Sequence, residues 1–349
     1  MGAFEPPDWF GRELIGDRRF ANRSLAVGGM PSDVSDSDRD RSYGLRGDEG
    51  IAAGMTRVAA GRAENALERL RGIERADADR ADAIHGARKD LKKLRTVLRL
   101  LRDRLPEEAY EEGNRRFRDA GRALSASRDA EVKVETLNAL VEHADAVPEG
   151  AVGPGDDLPE AAVESWRAIL ESDREAATNA ARDEPATAEA VRLIEQGLEG
   201  IEAWALEGDS WRLIGGGMRR NYRRGRKAMR RAEPKPSEHN FHEWRKRAKD
   251  LWYGLRLLSE AWPRTLEATA EEAHELSDLL GDHHDLAVLR EDLHQRRLGD
   301  RETAALEAAI DRREEELASQ AFDLGRRLYA ERPKEFSRRL RRYWEAWRG

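Results

Sequence analysis

The sequence predicts an all-α protein made of two related halves, and three observations carry that prediction. Charged residues make up 38% of the chain and aromatics 6%, which suits helices with charged surfaces and cores of Leu, Ala, Ile and Val. The stretch 85–101, HGARKDLKKLRTVLRLL, returns as HEWRKRAKDLWYGLRLL at 242–258, with nine of seventeen positions identical. In both copies the apolar residues recur at helical spacing: Leu91, Leu94, Val97, Leu98 and Leu101, then Ala248, Leu251, Leu255 and Leu258. A long internal repeat sets architecture before single residues do. It predicts two packed helical bundles related by an approximate two-fold axis.

Taken in order, residues 1–47 carry little periodicity, and GGMPSDVSDSDRDRSYGLRGD at 28–48 reads as a linker. We therefore expect a flexible arm, then one domain over 48–349 with halves 48–206 and 207–349. In the first half, helices are expected at about 49–73, 79–104 (stopped by Pro106), 107–124, 125–144, 158–183 and 186–206. In the second half a basic helix is expected at 211–232. The motif helix follows, with Ser237 as candidate N-cap and Pro263 as its stop. Two helices at 265–280 and 280–293 come next, and long helices at 301–331 and 334–347 close the chain. Gly215-Gly216-Gly217 reads as a flexible joint.

The chain has no cysteine, so disulfides and thiolate metal sites are excluded. No basic-then-apolar leader and no apolar run of about 18 residues is present, so a soluble cytoplasmic protein is expected. Net charge is −7, yet 85–104 carries eight Lys/Arg against two Asp, and 218–256 fourteen against four Asp/Glu. Two basic surfaces on an acidic body point to a focused anion site rather than general coating of DNA.

On a helix, His85, Arg88, Lys89, Lys92 and Arg99 fall within an arc of about 100°. His242, Arg245, Lys246, Lys249 and Arg256 do the same. A solvated face needs charge, but not the same charge type at the same offset in two copies. Four of the nine lysines, Lys89, Lys92, Lys246 and Lys249, occupy repeat-equivalent positions in a chain with 53 arginines. Lys is a compact point charge and Arg a planar fork, so the pair in fixed order fits an oxyanion ligand. Neighbouring cations are expected to lower the pKa of His85 and His242, and a bound polyanion to raise it.

These residues resemble the CHAD domain (conserved histidine α-helical domain), whose motif HxxRKxxK occurs here twice with an Arg seven residues on. YRRGRKAMRRA at 222–232 and RRLYAERPKEFSRRLRRYWEAW near the C-terminus also resemble that family's second half. The resemblance covers about 50–347. It implies two four-helix bundles, antiparallel and pseudo-symmetric, around a basic channel or groove that binds inorganic polyphosphate. It also implies an association with polyphosphate granules and with polyphosphate-metabolising enzymes. By position the ligand-facing residues are the two stripes above with Arg95, and Tyr222, Arg223, Arg224, Arg226 and Lys227. The first half departs from this pattern: its matching helix offers only Arg57, Arg62, Arg69 and Arg71, and Trp252 stands where the first copy has Arg95.

Other chemistry reads weakly. Asp129-Ala-Glu131-Val-Lys133 approaches the ExExK strand of the CYTH triphosphate hydrolases that often accompany this family, but sits in a helical pattern. His283-His284-Asp285 with Asp282 is the best metal-like cluster, yet adjacent helical histidines diverge by about 100°. No nucleophile–base pair or phosphate loop is readable. A binding module with no cofactor and no metal is expected, not an enzyme. The alternatives are a nucleic-acid binder, against which the absence of aromatics at 85–104 argues, and a protein–protein scaffold.

Overall fold

In a computed structural model of the chain, the residues described are 41–75, 79–146, 158–180, 185–296 and 300–349. Residues 1–40 of the expected arm lie outside them. Among the described residues eleven α-helices follow one another, with two short 3-10 turns and no strand. They are α1 (Ile51–Glu74), α2 (Arg80–Leu101), α3 (Glu107–Ala123), α4 (Ala126–Asp145), α5 (Glu160–Ala180), α6 (Pro185–Glu202), α7 (Gly215–Ala232), α8 (Glu238–Leu257), α9 (Pro263–Arg296), α10 (Asp300–Leu328) and α11 (Pro333–Arg348).

Local chemistry explains the boundaries. Asp79 caps α2, its carboxylate accepting from the Asp82 amide at 3.0 Å, and Ser237 caps α8 as expected, accepting from the Asn240 amide at 3.4 Å. Proline opens α9 and α11, where its missing N–H costs no hydrogen bond. The apolar stripes of both motif helices are buried: Leu94, Val97, Leu98, Leu101, Ala248, Leu251 and Leu255 have no exposure at all.

The main core runs through α2 and α8 and so joins the two halves. α1 packs on α2 and α6, and α3 packs on the same two helices. In the second half α8 lies between α7 and α9, with α11 against α7. A second core is also shared: Leu137 of α4 and Trp166 of α5 pack with Leu289 of α9 and Ile310 of α10.

Three expectations are corrected. Residues 41–47 are not a free arm: the Leu45 amide donates to the Leu257 carbonyl at 2.9 Å, and the Leu45 side chain is fully buried. Residues 265–293 do not split in two. α9 runs unbroken for 34 residues, because Gly281 inside it costs only about 1 kcal/mol while Leu280, His283 and Leu286 on either side are buried. Finally, Gly215-Gly216-Gly217 is the first turn of α7 rather than a joint. A Cβ on Gly217 would stand 2.3 Å from the Leu100 carbonyl oxygen, so this glycine serves close approach of α7 to α2, not flexibility.

Candidate anion-binding site

α2 and α8 pass one another in opposite directions. Arg99 of α2 bonds Asp250 of α8 at 2.7 Å, while Lys93, earlier on α2, feels Arg256, later on α8. Lys92 lies just before Lys93 on α2 and Lys249 just before Asp250 on α8, and the two charges still act on one another across this passage. Burial pushes the Lys249 amine down to about 7, reinforced by the charges of Arg245 and Lys92 and offset in part by Asp278 and Asp285. Lys92 and Lys249 are repeat-equivalent, so the folded chain puts the two copies of one motif position within electrostatic reach of each other.

The second copy is tightly set. The His242 ring lies 4.5 Å from that of His284. Burial holds His242 down to about 4, with Lys246, His284 and Arg245 acting in the same direction. The expected direction is therefore met at His242, but burial comes before charge as its cause. Arg245 lies over Gly281, where a Cβ would be 2.8 Å from its Nη2, and its Nη1 is 3.6 Å from Asp285 Oδ1. Lys246 is exposed and pairs with Glu243 at 2.7 Å. His283 turns away into the core, stacked on Phe241 at 4.1 Å and held down to about 4 by burial. His284 instead has Nδ1 3.6 Å from Glu238 Oε1. Among the described residues no group of three His, Asp or Glu is placed to hold a metal ion.

The first copy is looser. Arg88 donates to the Leu124 carbonyl at 2.7 Å, where the chain breaks between α3 and α4. Lys89 and Lys92 are exposed, and His85 is half-buried. The side chain of Asp129 lies outside the described residues. Lys133 forms an ion pair with Asp292 within helical surroundings, not on a strand. Arg95 donates to Asn114 Oδ1 at 3.1 Å, and burial beside Arg99 holds it down to about 10.

α7 divides its basic residues between two faces. Tyr222 does not belong to a ligand surface: it has no exposure, stacks on Phe336 at 4.0 Å and donates to the Leu328 carbonyl at 3.1 Å. It is a core aromatic whose hydroxyl needs a partner. Arg226 donates to the Tyr329 carbonyl at 3.1 Å on the same side. Arg223, Arg224 and Lys227 are exposed. Partial burial lowers the pKa of Arg224, and the charges of Arg247, Arg102 and Arg220 act in the same direction. Arg220 donates to the Arg99 carbonyl at 2.6 Å and pairs with Asp103.

Sequence reading missed Asp250, Arg247, Arg102 and Arg220. Asp250 bridges Arg99 and Arg247, at 2.7 and 2.8 Å. The signal for it was present: positions 90 and 93 carry Asp and Lys, and the equivalent 247 and 250 carry Arg and Asp, a charge reversal that a search for identities passes over. On α1, Arg62 bonds Asp90 at 2.8 Å, Arg57 bonds Glu49 at 2.6 Å, and Arg71 bonds Glu195 at 2.6 Å. The first half's scattered arginines are thus tied to its own carboxylates. Trp244 and Tyr253 are buried and Trp252 packs on His274 at 3.7 Å, so the two buried rings are closed to stacking with a base.

A family model, the CHAD domain, matches residues 61–294. Two solved structures share the fold. The CHAD domain from the plant Ricinus communis is 18% identical, with a TM-score of 0.50, over 82% of this chain and 94% of that one. PptA from Streptomyces chartreusis is 13% identical, with a TM-score of 0.54, over 79% of this chain and 99% of that one. No curated protein matches the chain.

Proposed function

We propose that this chain, which belongs to the CHAD domain family, is a binding module for inorganic polyphosphate. The observation that carries the reading is the half-withdrawn Lys249, whose amine feels Arg245 of its own helix and Lys92 of the other repeat. Like charges gathered at one place and half withdrawn from water raise the energy of the empty site. A polyanion relieves that cost with charge-assisted hydrogen bonds and releases its counterions on binding. The finer arrangement is part of the proposal: α1, α2, α3 and α6 form one bundle, α7 to α10 the other, and the groove runs between α2 and α8. Its contact residues are His85, Arg88, Lys89, Lys92, Arg95, Arg99, Arg223, Arg224, Lys227, His242, Arg245, Lys246, Lys249 and Arg256.

The module holds its ligand and does no chemistry on it. Its setting is the cytoplasm, at polyphosphate granules, beside enzymes that make or degrade the polymer. The test is a titration with long polyphosphate, with RNA and single-stranded DNA as competitors at equal phosphate concentration. The proposal expects polyphosphate to bind much more tightly and to be released steeply by salt. Equal affinity for the three polymers would favour the nucleic-acid reading.

A further inference from the structure

The pseudo-symmetry of α2 and α8 fails at one pair of positions. Arg99 and Asp250 form an ion pair between the halves at 2.7 Å. Their repeat mates are Arg256 and Lys93, two cations. Asp90 lies 3.8 Å from Lys93, but it is already bonded to Arg62 at 2.8 Å and lies 3.5 Å from Arg69. Among the described residues no carboxylate pairs with Arg256. Lys89, one turn before Lys93 on α2, is exposed and adds to the positive field there.

A short segment roofs this end. The Tyr43 ring stands over Lys93, 5.4 Å from its amine, and the Tyr43 hydroxyl donates to the Tyr253 carbonyl at 3.1 Å. Arg57 clamps the segment by donating to the carbonyls of Ser42 and Gly44, at 3.2 and 2.7 Å. Tyr43 and Arg57 lie outside the residues matched by the family model. At the opposite end, Asp250 neutralises the corresponding place, and the exposed arginines of α7 carry the positive surface onward.

We propose that Lys93 and Arg256, under the Tyr43 roof, hold the terminal phosphate of the polymer, so that one end of the groove recognises a chain end. This rests on the polyphosphate reading above. A terminal phosphate differs from an internal one in charge. Like a phosphomonoester it has a second ionisation near about 6 and approaches two negative charges at neutral pH. Two cations that share only a fraction of one carboxylate suit that extra charge. A roof on one side suits a chain that stops there. Internal phosphates, with one charge each, cross the Lys92–Lys249 pair.

Linear and cyclic polyphosphates separate the two modes, because a ring has no end. Linear tripolyphosphate should bind the full chain about tenfold more tightly than trimetaphosphate, compared per molecule at equal ionic strength, the worth of one or two charge-assisted hydrogen bonds. Lys93→Gln should cut that preference to less than about twofold by weakening the linear form more than the ring. Tyr43→Ala opens the roof and should also narrow the preference, by strengthening binding of the ring; Tyr43→Phe should behave as the wild type. A wild type without linear preference, or a preference that survives both Lys93→Gln and Tyr43→Ala in folded protein, overturns end recognition. If the wild type binds neither short form nor long polyphosphate, the polyphosphate reading itself fails.

Discussion

The two copies of the motif are alike in sequence and unlike in setting. Arg88 and Arg245 hold equivalent positions. Arg88 reaches the carbonyl of Leu124, freed by the break between α3 and α4. Arg245 has no such break to serve; α9 is continuous there, and the guanidinium lies across Gly281 toward Asp285. Lys89 and Lys92 are exposed, whereas Lys249 is sunk until its proton is held weakly, at about 7. The preceding helices differ too. The arginines Arg62 and Arg71 of α1 pair with carboxylates of α2 and α6, while α7 leaves Arg223, Arg224 and Lys227 on the surface. A repeat thus preserves which residues share a helix face, and the neighbouring helices decide how each is charged and reached.

The largest expected effect tests the charge reversal between copies. Asp250→Asn leaves Arg99 and Arg247 half-buried without their shared counter-charge and should cost about 3–5 kcal/mol of stability in urea unfolding. Lys93→Asp restores at the other end the sign pattern of Arg99–Asp250 and should not destabilise. Equal destabilisation by both would break the comparison.

Charge reversal at Lys92 and Lys249 together should weaken polyphosphate binding about 100-fold at low salt with helicity unchanged, as several charge-assisted contacts are lost. Each single reversal should cost a similar share, read by calorimetry. A loss confined to Lys249 would mean that only the second copy binds.

Gly217→Ala forces a Cβ into the Leu100 backbone and should cost about 2 kcal/mol of stability. Gly281→Ala meets only the flexible end of Arg245 and should cost little. Thermal unfolding of the two variants distinguishes the rigid contact between halves from the adjustable one.

The pH dependence should be two-stepped. The folded pKa of Lys249, about 7, lies below its ordinary value of 10.5. Between those pH values the unfolded chain carries the proton, so the empty protein gains stability as pH rises through that window. A polyanion returns the proton, so affinity should rise as pH falls from about 9 to 7, by at most about tenfold per unit. His242, held at about 4 against 6.5, adds a second window below pH 6.5. Lys249→Arg should abolish the upper step and His242→Gln the lower, measured as proton uptake in two buffers of different ionisation heat. A single step near 6.5 in the Lys249→Arg variant alone would still agree; no change in either variant would refute both assignments.

The smallest effect concerns Tyr222. Tyr222→Phe removes hydroxyl bonds to the Leu328 and Glu331 carbonyls and should cost about 1 kcal/mol of stability with unchanged affinity for polyphosphate.

Much of this was legible in the chain itself. The positions of most helices, the cap at Ser237, the buried stripes of α2 and α8 and the two cationic stripes all follow from local rules. These are 3.6-residue periodicity, capping hydrogen bonds and proline as a stop. Family membership follows from the repeated motif. The misread elements share one cause. Gly217, Gly281 and the segment Tyr43–Leu45 have the local composition of joints and linkers, yet each is held by a partner more than thirty residues away in sequence: Leu100, Arg245 and α8. Local propensity carries no information about such partners.

Which cations belong to which helix face was therefore determined by the sequence, because that depends on angle along one helix. Which of them share a carboxylate, lose water or meet a like charge was decided only by tertiary structure, because Coulomb energy and desolvation depend on distances between helices that periodicity does not encode. Tyr222 and Arg226 were assigned to the ligand by position and are claimed by the core and the Tyr329 carbonyl. Asp250, unremarkable in the sequence, became the counter-charge between the halves because the antiparallel passage of α8 along α2 sets it beside Arg99.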